Sequence, residues 1–238
     1  MKRLHEIDDL KEKTMAALSI NNKLSKKQQL QALKVITHIG ALYPLIKLYY
    51  NYYTYNLGVE EVNAAILATG YPAIVLLVLS LAITPLNTLF GWSILGPLRK
   101  PLGLYAFMYA MLHVTIFVVL DYGLDWGAFI TEITTRWYAI VGFISWLIMV
   151  PLAITSTKWS QRKLGKRWKT LHRTVYLSAI LGVVHYILQA RNDYNLPFTF
   201  AALLAIFLVL RFDWIKSRIV AYRKERAKAK RLAAKAKA

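Results

Sequence analysis

Apolar residues in this chain come in blocks of about twenty, and that grouping constrains the fold more than any other feature. A helix rises ~1.5 Å per residue, so ~20 residues span the ~30 Å hydrocarbon core of a bilayer. Six such blocks are read, at about 34–55, 68–90, 101–121, 137–157, 171–190 and 197–213. In lipid every backbone N–H and C=O needs a partner within its own segment, so blocks of this length fold as helices. The expected architecture is all-α: a polytopic membrane protein built as a six-transmembrane-helix bundle. A basic N-terminal arm (1–33) and a basic tail (214–238) flank the membrane domain (34–213). No internal repeat and no long linker is read.

The formal charge of +19 would by itself suit a nucleic-acid partner. The placement of the charges argues otherwise. Of the 31 Lys and Arg, 27 fall in alternate connections: eight in 1–34, Arg99 and Lys100, seven in 158–173 and ten in 216–237. The intervening loops are nearly bare. Segment 56–67 has none, 121–136 has only Arg136 against Asp121, Asp125 and Glu132, and 191–196 has Arg191 alone. Cytoplasmic loops carry the Lys/Arg excess, so both termini are expected in the cytoplasm. Nucleic-acid binding is set aside, and the Ala/Lys/Arg tail is read as a helix lying against anionic membrane lipid. Residues 1–30 lack the apolar run of a cleavable signal. With no cysteine, disulfides, thiolate iron–sulfur ligation and Cys-attached haem are all excluded. No glycine-rich nucleotide loop is present.

Four of the five histidines fall inside the apolar blocks: His38, His113, His172 and His185. Polar groups there are costly and mark function by default, against the alternative of a neutral ring bonding a neighbouring helix. Counting from the basic end at ~1.5 Å per residue, His113 lies ~18 Å deep and His185 ~21 Å deep. On the same scale His38 lies ~6 Å deep and His172 at the edge. Two imidazoles from different helices at one level are what the axial positions of a b-type haem require. His113 with His185 would hold an outer haem, and His172 with His38 an inner one, giving one or two haems. The thirteen residues from His172 to His185 leave their side chains ~140° apart around an ideal helix, so a bend or a distorted first turn must intervene. Arg99 and Lys100, at the inner level, are candidates to pair with haem propionates. Lys47 is expected to snorkel outward, with a propionate or quinone contact as the alternative. Zinc is the weaker reading, because no Cys, Asp or Glu joins these histidines at suitable spacing. A proton relay would enlist intramembrane carboxylates, which the spans lack.

The stretches "RKPLGLYAFMYAMLHVTIFVVLDYG" (99–123), "QRKLGKRWKTLHRTVYLSAILGVVHY" (161–186), "HIGALYP" (38–44) and "SLAITPL" (80–86) together resemble the MsrQ (YedZ) family, within the wider ferric-reductase-like transmembrane group. The resemblance covers about residues 30–215. It implies a haem-binding subunit of the bacterial inner membrane that takes electrons from the quinone pool or a cytoplasmic flavin reductase. It would deliver them to MsrP, a periplasmic molybdopterin enzyme that reduces methionine sulfoxide in oxidised proteins. It also implies FMN as a further cofactor, and haem histidines at His113, His172 and His185. Where the wider group has a second inner histidine, this chain has Arg99 and Lys100. Two other readings compete: a ferric or other metal reductase acting directly at the outer face, and a haem-free transporter or assembly factor with structural histidines.

Overall fold

A computed structural model describes residues 25–190 and 193–236. The first 24 residues of the expected arm, with His5, and the lone external Arg191 lie outside the described residues. Ten α-helices follow in order: α1 (Lys26–Tyr53), α2 (Glu61–Phe90), α3 (Arg99–Ile116), α4 (Trp126–Thr135), α5 (Trp137–Ile154), α6 (Lys158–Leu164), α7 (Lys166–Arg173), α8 (Val175–Gln189), α9 (Asn195–Val209) and α10 (Asp213–Lys235). A 3₁₀ turn, Ser93–Leu98, leads into α3, and a π-turn, Phe117–Asp121, ends it. No strand occurs among the described residues.

Among the described residues, four helical stretches are long and apolar enough to cross a membrane: Glu61–Phe90, Ser93–Asp121, Trp137–Ile154 and Lys166–Gln189. A fifth arises if α9 and α10, bent by 75° to one another, are counted together. The two outermost of the six expected blocks differ from the rest for composition-level reasons. Helix α1 is 28 residues long but carries Lys34 and Lys47, both exposed. Helix α9 is only 15 residues long before the bend.

The core lies between α2, α3, α5 and α8, and the closest helix pairs are α2 with α3 and α5 with α8. Small residues let the second pair approach. Ser145 Oγ donates to the Ser178 carbonyl at 2.9 Å, and Ser178 Oγ donates back to the Ser145 carbonyl at 3.0 Å. Both serines are buried, so the reciprocal bonds satisfy groups that hydrocarbon could not.

Helix α1 is fastened in part by Tyr109 of α3. Pro44 removes an N–H from the helix ladder. Next to it, the buried Tyr109 hydroxyl of α3 wedges into the adjoining turn, donating to the Ala41 carbonyl at 2.7 Å and accepting from Leu45 N–H at 3.1 Å. Tyr109→Phe strands both backbone groups in apolar surroundings. It is expected to cost ~1–3 kcal/mol and to lower the melting temperature of the detergent-solubilised protein. An unchanged melting curve would show the wedge to be dispensable.

Arginines make the corresponding repairs in α2. Pro85 leaves the Leu81 carbonyl without its helical donor, and Arg211 supplies one at 2.6 Å while also donating to Tyr176 Oη at 2.7 Å. Arg223 of the tail donates to the last-turn carbonyls of Asn87 and Thr88 at 2.9 and 2.8 Å. Its guanidinium occupies the space a side chain at Gly91 would need, and Gly91 also takes the left-handed φ of 77° that ends the helix. The tail is therefore helical, and it is tied to the basic end of the bundle.

Candidate haem site

His113 lies on α3 and His185 on α8, each facing the helix its own packs against. His113 Nδ1 is 2.9 Å from the Ile66 carbonyl of α2, and His185 Nδ1 is 2.8 Å from the Tyr138 carbonyl of α5. A carbonyl can only accept, so Nδ1 carries the proton in both rings, leaving Nε2 as the lone-pair nitrogen. That is the tautomer a metal needs, with the partner carbonyl holding the ring and raising its basicity.

The two rings meet, with centres 6.1 Å apart and planes at 81°. Two imidazoles bonded end-on to one metal ion at ~2.0 Å each would set their ring centres roughly 6 Å apart, so the observed separation fits axial ligation from opposite sides. Both rings line a cavity of about 400 Å³ shared with Ile66, Phe129, Phe143 and Trp146. The volume falls within the ~300–1,000 Å³ range of cofactor sites, and the walls are mostly apolar, as a porphyrin face requires. No cluster of three or more His, Cys, Asp or Glu occurs among the described residues. A metal bound only by protein side chains would lack ligands here. A porphyrin brings four of its own. The residues present fit a haem.

The inner level is different. His172 ends α7, and a break at Thr174 separates it from α8, so the helix between the two histidines is interrupted as their azimuths demand. Trp168 stacks on its ring at 3.8 Å, and its Nδ1 donates to the Trp168 carbonyl at 3.1 Å. Its Nε2 is buried and makes no hydrogen bond. His38 is exposed, and its Nδ1 is 2.8 Å from Tyr105 Oη; no hydrogen bond or ring contact joins it to His172 among the described residues. Helix α1 packs against α3, and its histidine meets Tyr105 there. Arg99 and Lys100 are both exposed, at the start of α3.

The two histidine contacts are copies of one another. His113 reaches back 47 residues to Ile66 and His185 reaches back 47 to Tyr138, a register offset of 72. The same offset relates Gly70 to Gly142, Asp121 to Asp193 and Tyr122 to Tyr194, and "LAIT" recurs at 81–84 and 152–155 with one residue of slip. The expectation of no internal repeat is thereby corrected; the repeat is masked in the sequence because apolar helices resemble one another. In this register position 100 answers to position 172, and it holds lysine rather than histidine. The site residues missed from sequence are Gly70 and Gly142, for which the tetrapeptide repeat was the available signal.

Comparison with known proteins places these features. A family described as the ferric reductase like transmembrane component matches residues 69–183. The haem-binding subunit MsrQ of protein-methionine-sulfoxide reductase from Rhodospirillum rubrum is 38% identical over 179 residues, covering 75% of this chain and 86% of that protein. The subunit of the same name from Herminiimonas arsenicoxydans is 38% identical over 189 residues, covering 78% and 87%, and that from Ralstonia nicotianae is 36% identical over 191 residues, covering 79% and 88%. No solved structure gives a significant match.

Proposed function

The chain belongs to the MsrQ family, the haem-binding membrane subunits of protein-methionine-sulfoxide reductases, and on that premise we propose that it conducts electrons across the bacterial inner membrane to a periplasmic, MsrP-like catalytic subunit. The observation that carries the reading is the His113–His185 pair, with ring centres 6.1 Å apart and both Nδ1 atoms on backbone carbonyls. When bound there, a b-type haem supplies a one-electron iron couple. The chain's own residues do the rest. The carbonyls of Ile66 and Tyr138 fix the tautomer of each ring, and Phe129, Phe143 and Trp146 keep water from the cavity.

The basic connections and tail mark the donor side as cytoplasmic, where the quinone pool or a flavin reductase would deliver electrons. The histidine pair then lies toward the periplasmic side. A second haem would be held from one side by His172, whose buried Nε2 makes no hydrogen bond. Repair of methionine sulfoxide takes place on the partner. The connections at the non-basic end are short, and the Tyr138 hydroxyl donates to Glu132 there.

The test uses the dithionite-reduced protein in detergent, mixed anaerobically with an oxidised molybdopterin-dependent methionine sulfoxide reductase and sulfoxide. Reoxidation of the b-type spectrum that needs both partner and sulfoxide is expected. Rapid reoxidation by a ferric chelate with no response to the partner would instead establish a metal reductase. A colourless protein purified from haem-replete cells would end the electron-transfer reading.

A further inference from the structure

We infer that Gly70 and Gly142 are positioning residues for the two axial imidazoles, acting as the two copies of one duplicated helix-pair device. The inference rests on the haem reading above. In each copy the carbonyl that receives Nδ1–H lies four residues before a glycine, Ile66 before Gly70 and Tyr138 before Gly142. In a helix those two positions share one face, a turn apart. The ring can reach the carbonyl only by lying across the glycine.

The clearances show how tight this is. A Cβ at position 70 would stand 2.9 Å from His113 Nδ1 and 3.0 Å from Cε1. At position 142 it would stand 2.5 Å from His185 Nδ1, 2.8 Å from Cε1 and 3.0 Å from Cγ. Gly40 would meet nothing within 4 Å, a Cβ at Gly103 would sit 3.7 Å from Ser80 Oγ, and one at Gly182 would sit 3.3 Å from Ile74 Cδ1, none of them against an imidazole. Glycine within a helix costs about 1 kcal/mol relative to alanine. Here it admits the ring, and alanine would push the ring off the carbonyl it bonds.

Two properties of the site follow. With Nδ1–H held on a carbonyl, each ring has one tautomer and one rotation about its Cβ–Cγ bond. The 81° angle between the ring planes is then set by the two helix backbones. Loss of the Nδ1 bond also makes the imidazole a weaker base and favours ferrous over ferric iron. Near-perpendicular axial planes give low-spin ferric haem a strongly anisotropic electron paramagnetic resonance signal, so the device has its own spectroscopic readout.

The experiment compares Gly142→Ala and Gly70→Ala with Gly40→Ala and Gly103→Ala, each as the full chain in detergent. Haem per chain, the low-spin ferric signal and the midpoint potential are read together. Wild type is expected to show the anisotropic signal. Gly142→Ala should lose or alter that signal, raise the potential of the haem it retains and weaken haem retention ~10–100-fold. Gly70→Ala, with the smaller clash, should shift signal and potential in the same direction by less, and remains readable if Gly142→Ala does not fold. The two controls should match wild type. Retained haem with wild-type signal and potential in both Gly70→Ala and Gly142→Ala would overturn the inference, even if thermal stability fell. A wild-type protein without haem would instead refute the parent reading, and this one with it.

Discussion

His185→Ala is expected to abolish the low-spin signal of the outer haem and to weaken haem retention by more than ~100-fold, beyond the range for losing an outer-shell partner alone. The imidazole is one of only two protein ligands on that iron in the proposed site, and its removal also leaves the Tyr138 carbonyl without the Nδ1–H donor 2.8 Å away. His113→Ala should behave alike, because its contact with Ile66 repeats that geometry. His172→Ala should not: it lies beyond the break at Thr174, stacked on Trp168, and its loss should leave the outer signal intact while removing any second haem. The measurement is haem per chain by pyridine haemochrome, alongside the low-spin spectrum. Full retention in His185→Ala would remove the basis of the proposed site.

Ser178→Leu should have the second largest effect. Ser178 is fully buried and shares reciprocal hydrogen bonds with Ser145 across the α5–α8 contact. Leucine adds bulk where two backbones meet and deletes the donation from Ser178 Oγ to the Ser145 carbonyl, with overpacking alone costing ~1–3 kcal/mol. The consequence reaches the site. Ser145 lies three residues from Gly142 and Ser178 seven from His185, so separating these helices moves the ring away from its carbonyl. Thermal denaturation and haem retention are expected to fall together in Ser178→Leu. In Ser178→Ala the loss should be modest, near the ~0.5–1.5 kcal/mol net value of single hydrogen bonds. If Ser178→Leu binds haem as wild type does, the α5–α8 spacing does not govern the site.

Much of this was legible along the chain. The helices of the core fall where the apolar blocks do, and the basic tail forms the helix its composition favours. Of the four buried-block histidines, His113 and His185 could be matched by depth, and they are the two whose rings meet. Depth does not say what His38 faces. Depth placed it level with His172, but its ring is turned toward Tyr105. Arg211 is a charge inside a span, and its partner there, the carbonyl freed by Pro85, belongs to another helix.

The division has a physical basis. Position along a membrane helix is a one-dimensional quantity: each residue adds ~1.5 Å of depth, and hydropathy marks where the bilayer begins. The sequence by itself therefore determined the class, the apolar helices of the core and the charge asymmetry. Azimuth and neighbours are set by which helix packs on which, a choice made by small residues and stranded backbone groups that no hydropathy window registers. Only the tertiary structure decided that Tyr109 would wedge α1, that Trp168 would stack on His172, and that two glycines 72 residues apart would each make room for an imidazole.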